Sequence, residues 1–249
     1  MSVLEALRKR LQKSQPTFEI VGLLTRKDDI YPLGTDTKVL GTVFELLIRP
    51  YIYDVAKELG LMVKEPDRQN YYPDFTLMVD ESDPAKTAVD VKTTYRDFRS
   101  DGTWRAKFTL GGFASFLRGT GDKNIVYPYS QYGQHLIVGF IYTRNDSSTS
   151  VVQSLADRDK VTSPFKDVEV FVQEKYRIAG EKPGSGNTEN IGSIEGSSLD
   201  DFVLGKGPFA ELGEETFLDY WRNYPRYRTS KAYNDLASYF KWKKTQAKE

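Results

Sequence analysis

The sequence predicts an α/β (mixed α+β) fold in which a central mixed β-sheet is flanked by helices. Three observations predict it. A long apolar-periodic stretch between Asp36 and Gly60 reads as a helix. β-Branched and apolar runs at 75–79, 87–94 and 135–143 read as strands. The two patterns are mixed along the chain rather than separated into blocks. The 249 residues are 39% hydrophobic and 28% charged, which suits a globular domain with a sizeable core.

In chain order, residues 1–13 place Leu4, Leu7 and Leu11 at helical spacing. Runs at 18–24 and 30–33 suggest a hairpin around Lys27, Asp28 and Asp29. Asp36 is a suitable N-cap for the long helix and Gly60 a suitable stop, with Pro50 expected to break or kink it. Val39, Val43, Leu46 and Leu47 are expected to form its apolar face, leaving Glu45 on the other side with Lys38, Thr42 and Arg49. Asp83-Pro84 suits the turn between strands 75–79 and 87–94. A short extended piece at 107–110 ends at Gly111-Gly112, and a polar loop at 145–150 follows strand 135–143. Residues 168–178 suggest a further strand, 180–198 a Gly/Ser/Asn-rich segment, and 217–221 and 233–242 helical pieces. There is no internal repeat.

Composition narrows the function. The chain has no cysteine, which removes disulfides and thiolate zinc sites and fits a cytoplasmic location. No apolar run reaches membrane-spanning length, and the charged start is expected to be helix rather than signal peptide. The net charge is +0, so there is no global attraction to nucleic acid. From Arg222 to Glu249, however, eight Lys/Arg face two acids, with Tyr224, Tyr227, Tyr233, Tyr239, Phe240 and Trp242 interleaved. That mixture suits either a phosphate-gripping tail or an ordinary amphipathic helix.

The chemistry concentrates in Tyr72-Pro73-Asp74-Phe75 and Val89-Asp90-Val91-Lys92. Proline disfavours helix at its predecessor, so the first acid lies in extended chain. On a strand, residues two apart share a face, so Asp90 and Lys92 project together while Val89 and Val91 face the core. Two carboxylates can hold a hard cation such as Mg²⁺, which also accepts phosphate oxygens and waters. The cation polarises the phosphate and acidifies a water, and a neighbouring lysine helps to deprotonate or position that water or stabilises developing charge. A Pro-Asp turn and a solvated D-x-K strand face are the plain alternatives.

Two polar loops have double readings. Gly184-Ser185-Gly186-Asn187-Thr188-Glu189-Asn190 is either a surface turn or a base-reading loop, since Asn pairs bidentately with adenine and Thr methyl packs on thymine methyl. Arg68-Gln69-Asn70 is either an exposed turn or a minor-groove contact. His135, the only histidine, is expected to be structural, and no nucleotide-binding G-x-x-x-x-G-K-[ST] loop occurs.

Longer motifs join these residues: Y-P-L-G-T-D-T-K-V-L at 31–40, F-E-L at 44–46, Y-P-D-F-T-L at 72–77, K-T-T-Y at 92–95 and K-F-T-L-G-G at 107–112. They continue with N-I-V-Y-P at 124–128, I-A-G at 178–180, G-S-G-N-T at 184–188, N-I-G-S-I at 190–194 and F-L-D-Y-W-R-N-Y at 217–224. Together they resemble the EcoRV-type family of type II restriction endonucleases, within the PD-(D/E)xK nuclease superfamily, over most of the chain. Segments 95–105, 145–166 and the tail beyond Tyr224 match poorly, and Tyr71 and Ala114 depart from the family pattern.

The resemblance implies a single nuclease domain spanning 1–249, with 18–35 and 145–165 contributing to a dimerisation subdomain. It implies DNA-reading loops at 65–72 and 182–192. Asp74 and Asp90 would bind Mg²⁺, Lys92 would assist the attacking water, and Glu45 would stand at the edge of the centre, serving a second metal. Gly184, Ser185, Gly186, Asn187, Thr188 and Asn190 match the major-groove loop, and Gln69 and Asn70 the minor-groove loop. Lys38, Thr94, Ser115 and Lys123 match positions near the DNA backbone. The implied activity is blunt cleavage of double-stranded DNA at GATATC by a homodimer, with a cognate methyltransferase in the same system. A repair or recombination nuclease of the superfamily and a noncatalytic DNA-binding protein are the alternatives.

Overall fold

The computed structural model describes residues 1–14, 18–118, 124–184, 189–225 and 232–246. In chain order the elements are α1 (Val3–Ser14), β1 (Gly22–Leu24), β2 (Asp29–Pro32), α2 (Thr37–Leu59), β3 (Met62–Lys64), β4 (Phe75–Met78), β5 (Lys86–Tyr95), β6 (Asp97–Phe98), β7 (Trp104–Arg105), β8 (Thr109–Gly112), β9 (Tyr132–Arg144), β10 (Gln153–Ser154), β11 (Phe165–Glu174), α3 (Lys175–Ile178), β12 (Ala179–Pro183), β13 (Asn190–Ser193), α4 (Leu199–Val203), α5 (Phe209–Asn223) and α6 (Leu236–Gln246). A π-helical turn spans Phe113–Leu117.

The central sheet has strand order β11-β9-β5-β4-β3. All its pairs are antiparallel except β5 with β9, which makes it mixed as expected. Alternation along the strands feeds two cores. Val89, Val91, Leu136, Val138 and Phe140 meet Leu40, Phe44, Ile48 and Ile52 of α2 on one face. Ala88, Ile137, Ile141 and Phe171 meet Phe108, Phe202, Phe217 and Trp221 on the other. The Phe44 ring stacks on Phe140 with centroids 4.6 Å apart, which fixes α2 across the sheet.

Helix α2 ends where the sequence places its ends. The Asp36 carboxylate accepts from the Lys38 and Val39 amides, and Gly60 closes the helix at φ 69°. Pro50 does not break the helix, which continues through it with Ile48 and Ile52 buried on either side. The helix does not keep its expected apolar face. Its buried stripe is Leu40, Phe44, Ile48, Ile52, Val55 and Ala56, whereas Val39 and Leu46 are 44% and 54% exposed. Apolar residues surround much of this helix, so the sheet contact selects the stripe, not the periodicity alone.

Other boundaries shift as well. The expected strand 168–178 ends at Glu174 and gives way to the helical turn α3. The Gly/Ser/Asn-rich segment contains strands β12 and β13, which join β8 in a three-stranded sheet. The aromatics near the C-terminus are largely core: Tyr233 and Tyr239 are buried among Tyr220, Trp221 and Tyr224. Helix α6 forms with Tyr239 buried, and its Lys241, Lys243 and Lys244 are exposed. The β1–β2 hairpin forms, and β10 adds to it as a third strand. No described helix is long and apolar enough to cross a membrane.

Candidate active site

Antiparallel pairing brings the two acids together. Phe75 lies opposite Val89 and Thr76 opposite Ala88, so one further step of the register sets Asp74 beside Asp90. Asp74 stands not in extended chain, as expected, but at a bend just before β4, and its Oδ2 accepts the Val91 amide at 2.6 Å, tying the first acid to the second strand. Lys92, two residues after Asp90, puts its Nζ 2.6 Å from Asp90 Oδ2. At that separation the buried oxygen is engaged by the lysine amine as a close ion pair. Glu45 approaches from α2 and is half-buried.

The electrostatics follow from crowding three acids around one amine. Burial pushes Asp74 up to about 8, helped by the charges of Asp90 and Glu45 and opposed by Lys92. Burial likewise raises Glu45, with Lys92 and Arg49 opposing and Asp90 adding to it. For Lys92, burial pulls downward, but Asp90, Asp74 and Glu45 outweigh it and hold the amine above its ordinary value. Lys92 is thus the counter-charge that the three acids face. Two adjacent carboxylates, Asp74 and Asp90, form a hard-oxygen donor set that fits Mg²⁺, which takes one or two carboxylates and fills its shell with water and phosphate. The described residues contain no cluster of three or more His, Cys, Asp or Glu side chains able to cage a metal by themselves. Such a site requires oxygen ligands from outside the protein.

The centre opens on two sides. A cleft of about 320 Å³ is lined by Thr37, Gly41, Glu45, Lys92, Thr94, Lys107 and Thr109. A second, about 260 Å³, runs past Glu45 and Asp74 to Thr42, Arg49 and Gln69. Gln69 Nε2 donates to Thr42 Oγ1 at 3.4 Å, so the 65–72 loop stands at the mouth of this second cleft with Asn70 exposed. A larger cavity, about 630 Å³, lies among Glu181, Lys182, Asp201, Lys206 and Asp235, away from the acids.

The remaining expected contacts are distributed as follows. Thr94 lies in the first cleft, its hydroxyl donating to the Lys107 carbonyl at 3.0 Å. Lys38 is exposed in the first turn of α2. Gly184 and Asn190 close the β12–β13 connection, the Gly184 amide donating to the Asn190 carbonyl at 2.9 Å. Ser185, Gly186, Asn187, Thr188 and Lys123 lie outside the described residues, as does the side chain of Ser115. Lys107 and Thr109 were not singled out by the sequence, although the K-F-T-L-G-G motif that carries them could have pointed to the cleft.

The tyrosine-proline-acid corner and the acid-x-lysine strand thus meet in one place, as the P-D…D-x-K pattern in the sequence led us to expect. The profile of the family described as Restriction endonuclease EcoRV matches residues 14–244. The type II restriction enzyme EcoRV of Escherichia coli is 44% identical over 247 residues, covering 97% of this chain and 98% of that one. The solved NlaIV restriction endonuclease aligns over 98% of this chain and 89% of its own, with 12% identity and a TM-score of 0.41. The chain belongs to the EcoRV restriction endonuclease family. It is a type II site-specific deoxyribonuclease, which sets aside the repair-nuclease and noncatalytic alternatives.

Proposed function

We propose that the protein is a Mg²⁺-dependent homodimeric restriction endonuclease that cleaves duplex DNA within GATATC to blunt ends. The observation that carries this is the convergence of Asp74, Asp90 and Lys92, with Glu45 beside them at the clefts. Asp74 and Asp90 would hold the cation, with Glu45 at its edge. When bound, Mg²⁺ supplies phosphate polarisation and an acidified water. Lys92 would assist the attacking water or stabilise negative charge developing on the phosphate. The Val91 amide fixes the Asp74 carboxylate, so the acid is oriented before substrate arrives.

Recognition is assigned by residue type and place. Gly184, Ser185, Gly186, Asn187, Thr188 and Asn190 would read the major groove, and Gln69 and Asn70 the minor groove. Lys38, Thr94, Ser115 and Lys123 would follow the phosphates. The dimer reading is supported by the small β1–β2–β10 sheet, which unites the segments expected to dimerise and leaves Leu23, Leu24 and Tyr31, with neighbouring Val151 and Val152, 42–65% exposed. A two-fold dimer reads a palindrome, and the flexible TA step at the centre of GATATC favours bending there. The enzyme would act in the cytoplasm beside a cognate methyltransferase.

The test is digestion of a plasmid with a single GATATC, with Mg²⁺ or with EDTA, followed by end sequencing. One Mg²⁺-dependent blunt cut within the site is expected. Cuts at another sequence would overturn the specificity, and cutting in EDTA the metal requirement.

A further inference from the structure

Behind Asp90 lies a buried polar cluster that the reaction as described does not use. Asp90 pairs in register with Ile137 on β9, and Ala88 with His135. His135 therefore projects from the same face of the sheet, one step behind Asp90. Its Nδ1 is 2.6 Å from the hydroxyl of Tyr72, the residue that begins the Tyr72-Pro73-Asp74 corner. Tyr129 stacks on the His135 ring at 3.9 Å. Lys175, the first residue of α3, reaches into this cluster and places Nζ 4.8 Å from the centre of the Tyr72 ring and 5.8 Å from that of Tyr129.

Lys175 is 1% exposed, and its Nζ has no hydrogen-bond partner among the described residues. His135 Nε2 and the Tyr129 hydroxyl share that condition. Lys86 shows what a structural lysine does at equal depth. Also 1% exposed, it donates to the carbonyls of Glu81 and Asp83 and to Gln131 Oε1. Burying an ammonium without such partners is costly and returns nothing to the fold. Burial lowers the Lys175 amine to about 8, with Asp90 and Glu214 pulling it back up and Lys92 adding to the lowering, so it stays mainly protonated at neutral pH. The ammonium thus lies against Tyr72, which leads into Asp74, in the buried cluster on the sheet face that carries Asp90.

We propose that Lys175 is a positioning residue whose buried ammonium sits behind Asp90 and, by like-charge repulsion, limits how tightly the Asp74–Asp90 site takes a divalent cation. The proposal rests on the assignment of those acids as the cation site. Removing the charge deepens the negative potential at the site, and replacing lysine by arginine keeps it.

The test is calorimetric binding of Mn²⁺ to the DNA-free protein, comparing wild type with Lys175→Met and Lys175→Arg. Lys175→Met should bind at least ~10-fold tighter, and Lys175→Arg should bind like wild type. A purely structural lysine would instead shift the melting temperature and leave the isotherm alone. Equal isotherms for wild type and Lys175→Met, including no detectable binding in both, would overturn the proposal, as would an equal shift in both variants. If Lys175→Met does not fold, Lys175→Gln serves with the same outcomes. Asp90→Asn separates the two readings. Binding that survives it would refute the cation-site assignment itself. Loss of binding in Asp90→Asn together with no change in Lys175→Met would refute only the role of Lys175.

Discussion

Replacing Asp74 by Asn should turn a pH-dependent stability into a flatter one. In the cation-free protein, burial and the adjacent Asp90 raise the Asp74 carboxyl from 3.8 to about 8. The folded state therefore holds a proton that the unfolded chain has released, and stability falls as pH rises through that window. The slope is that of one proton, ~1.4 kcal/mol per pH unit. It is the same whichever acid of the pair carries the proton. Asparagine retains an oxygen to accept the Val91 amide but cannot ionise, so Asp74→Asn loses this slope. Urea unfolding in EDTA at fixed protein concentration, from about pH 5 to about pH 8, reads the difference directly. The variant should gain on wild type by ~1.4 kcal/mol with each unit. Parallel stability curves would refute the claim that the two carboxylates share a proton when no cation is bound.

Three further outcomes follow from the same structure. Gly60→Ala meets no atom within 4 Å but must keep φ at 69°, so it should cost about 1 kcal/mol of stability in urea unfolding, and a neutral result would show that the helix end relaxes. Phe44→Ala empties the contact between α2 and the rings of Phe140 and Phe165 and should cost ~3–5 kcal/mol in the same assay. Lys38→Ala should weaken binding to all duplexes alike and lower the slope of log affinity against log salt by about 1, whereas a selective loss on one sequence would contradict a phosphate contact.

The acid pair was legible in the sequence because its determinants are local. Asp83-Pro84 supplies the turn, and the period of two puts Asp90 and Lys92 on one face, although the chain at Asp74 bends rather than extends. The ends of α2 were legible for the same reason, through Asp36 and Gly60. Its buried stripe was not, because Val39 and Leu46 are as apolar as Leu40 and Phe44, and only the rings of Phe140 and Phe165 across the sheet select between them. The approach of Glu45 to the centre depends on that same packing angle. The expected strand 168–178 hid Lys175, whose side chain turns inward only because β11 gives way to α3 at Glu174. Tyr233 and Tyr239 looked equally suited to nucleic acid and to core until packing against Tyr220 placed them in the core.

The central claim is that Asp74, Asp90 and Lys92 form the cleavage centre. The most direct measurement is the single-turnover cleavage rate of Asp90→Ala beside wild type, on cognate duplex with Mg²⁺, for protein shown by its melting curve to be folded. Cleavage at background with duplex binding retained is the predicted result. A folded Asp90→Ala protein that cleaves at the wild-type rate would contradict the account.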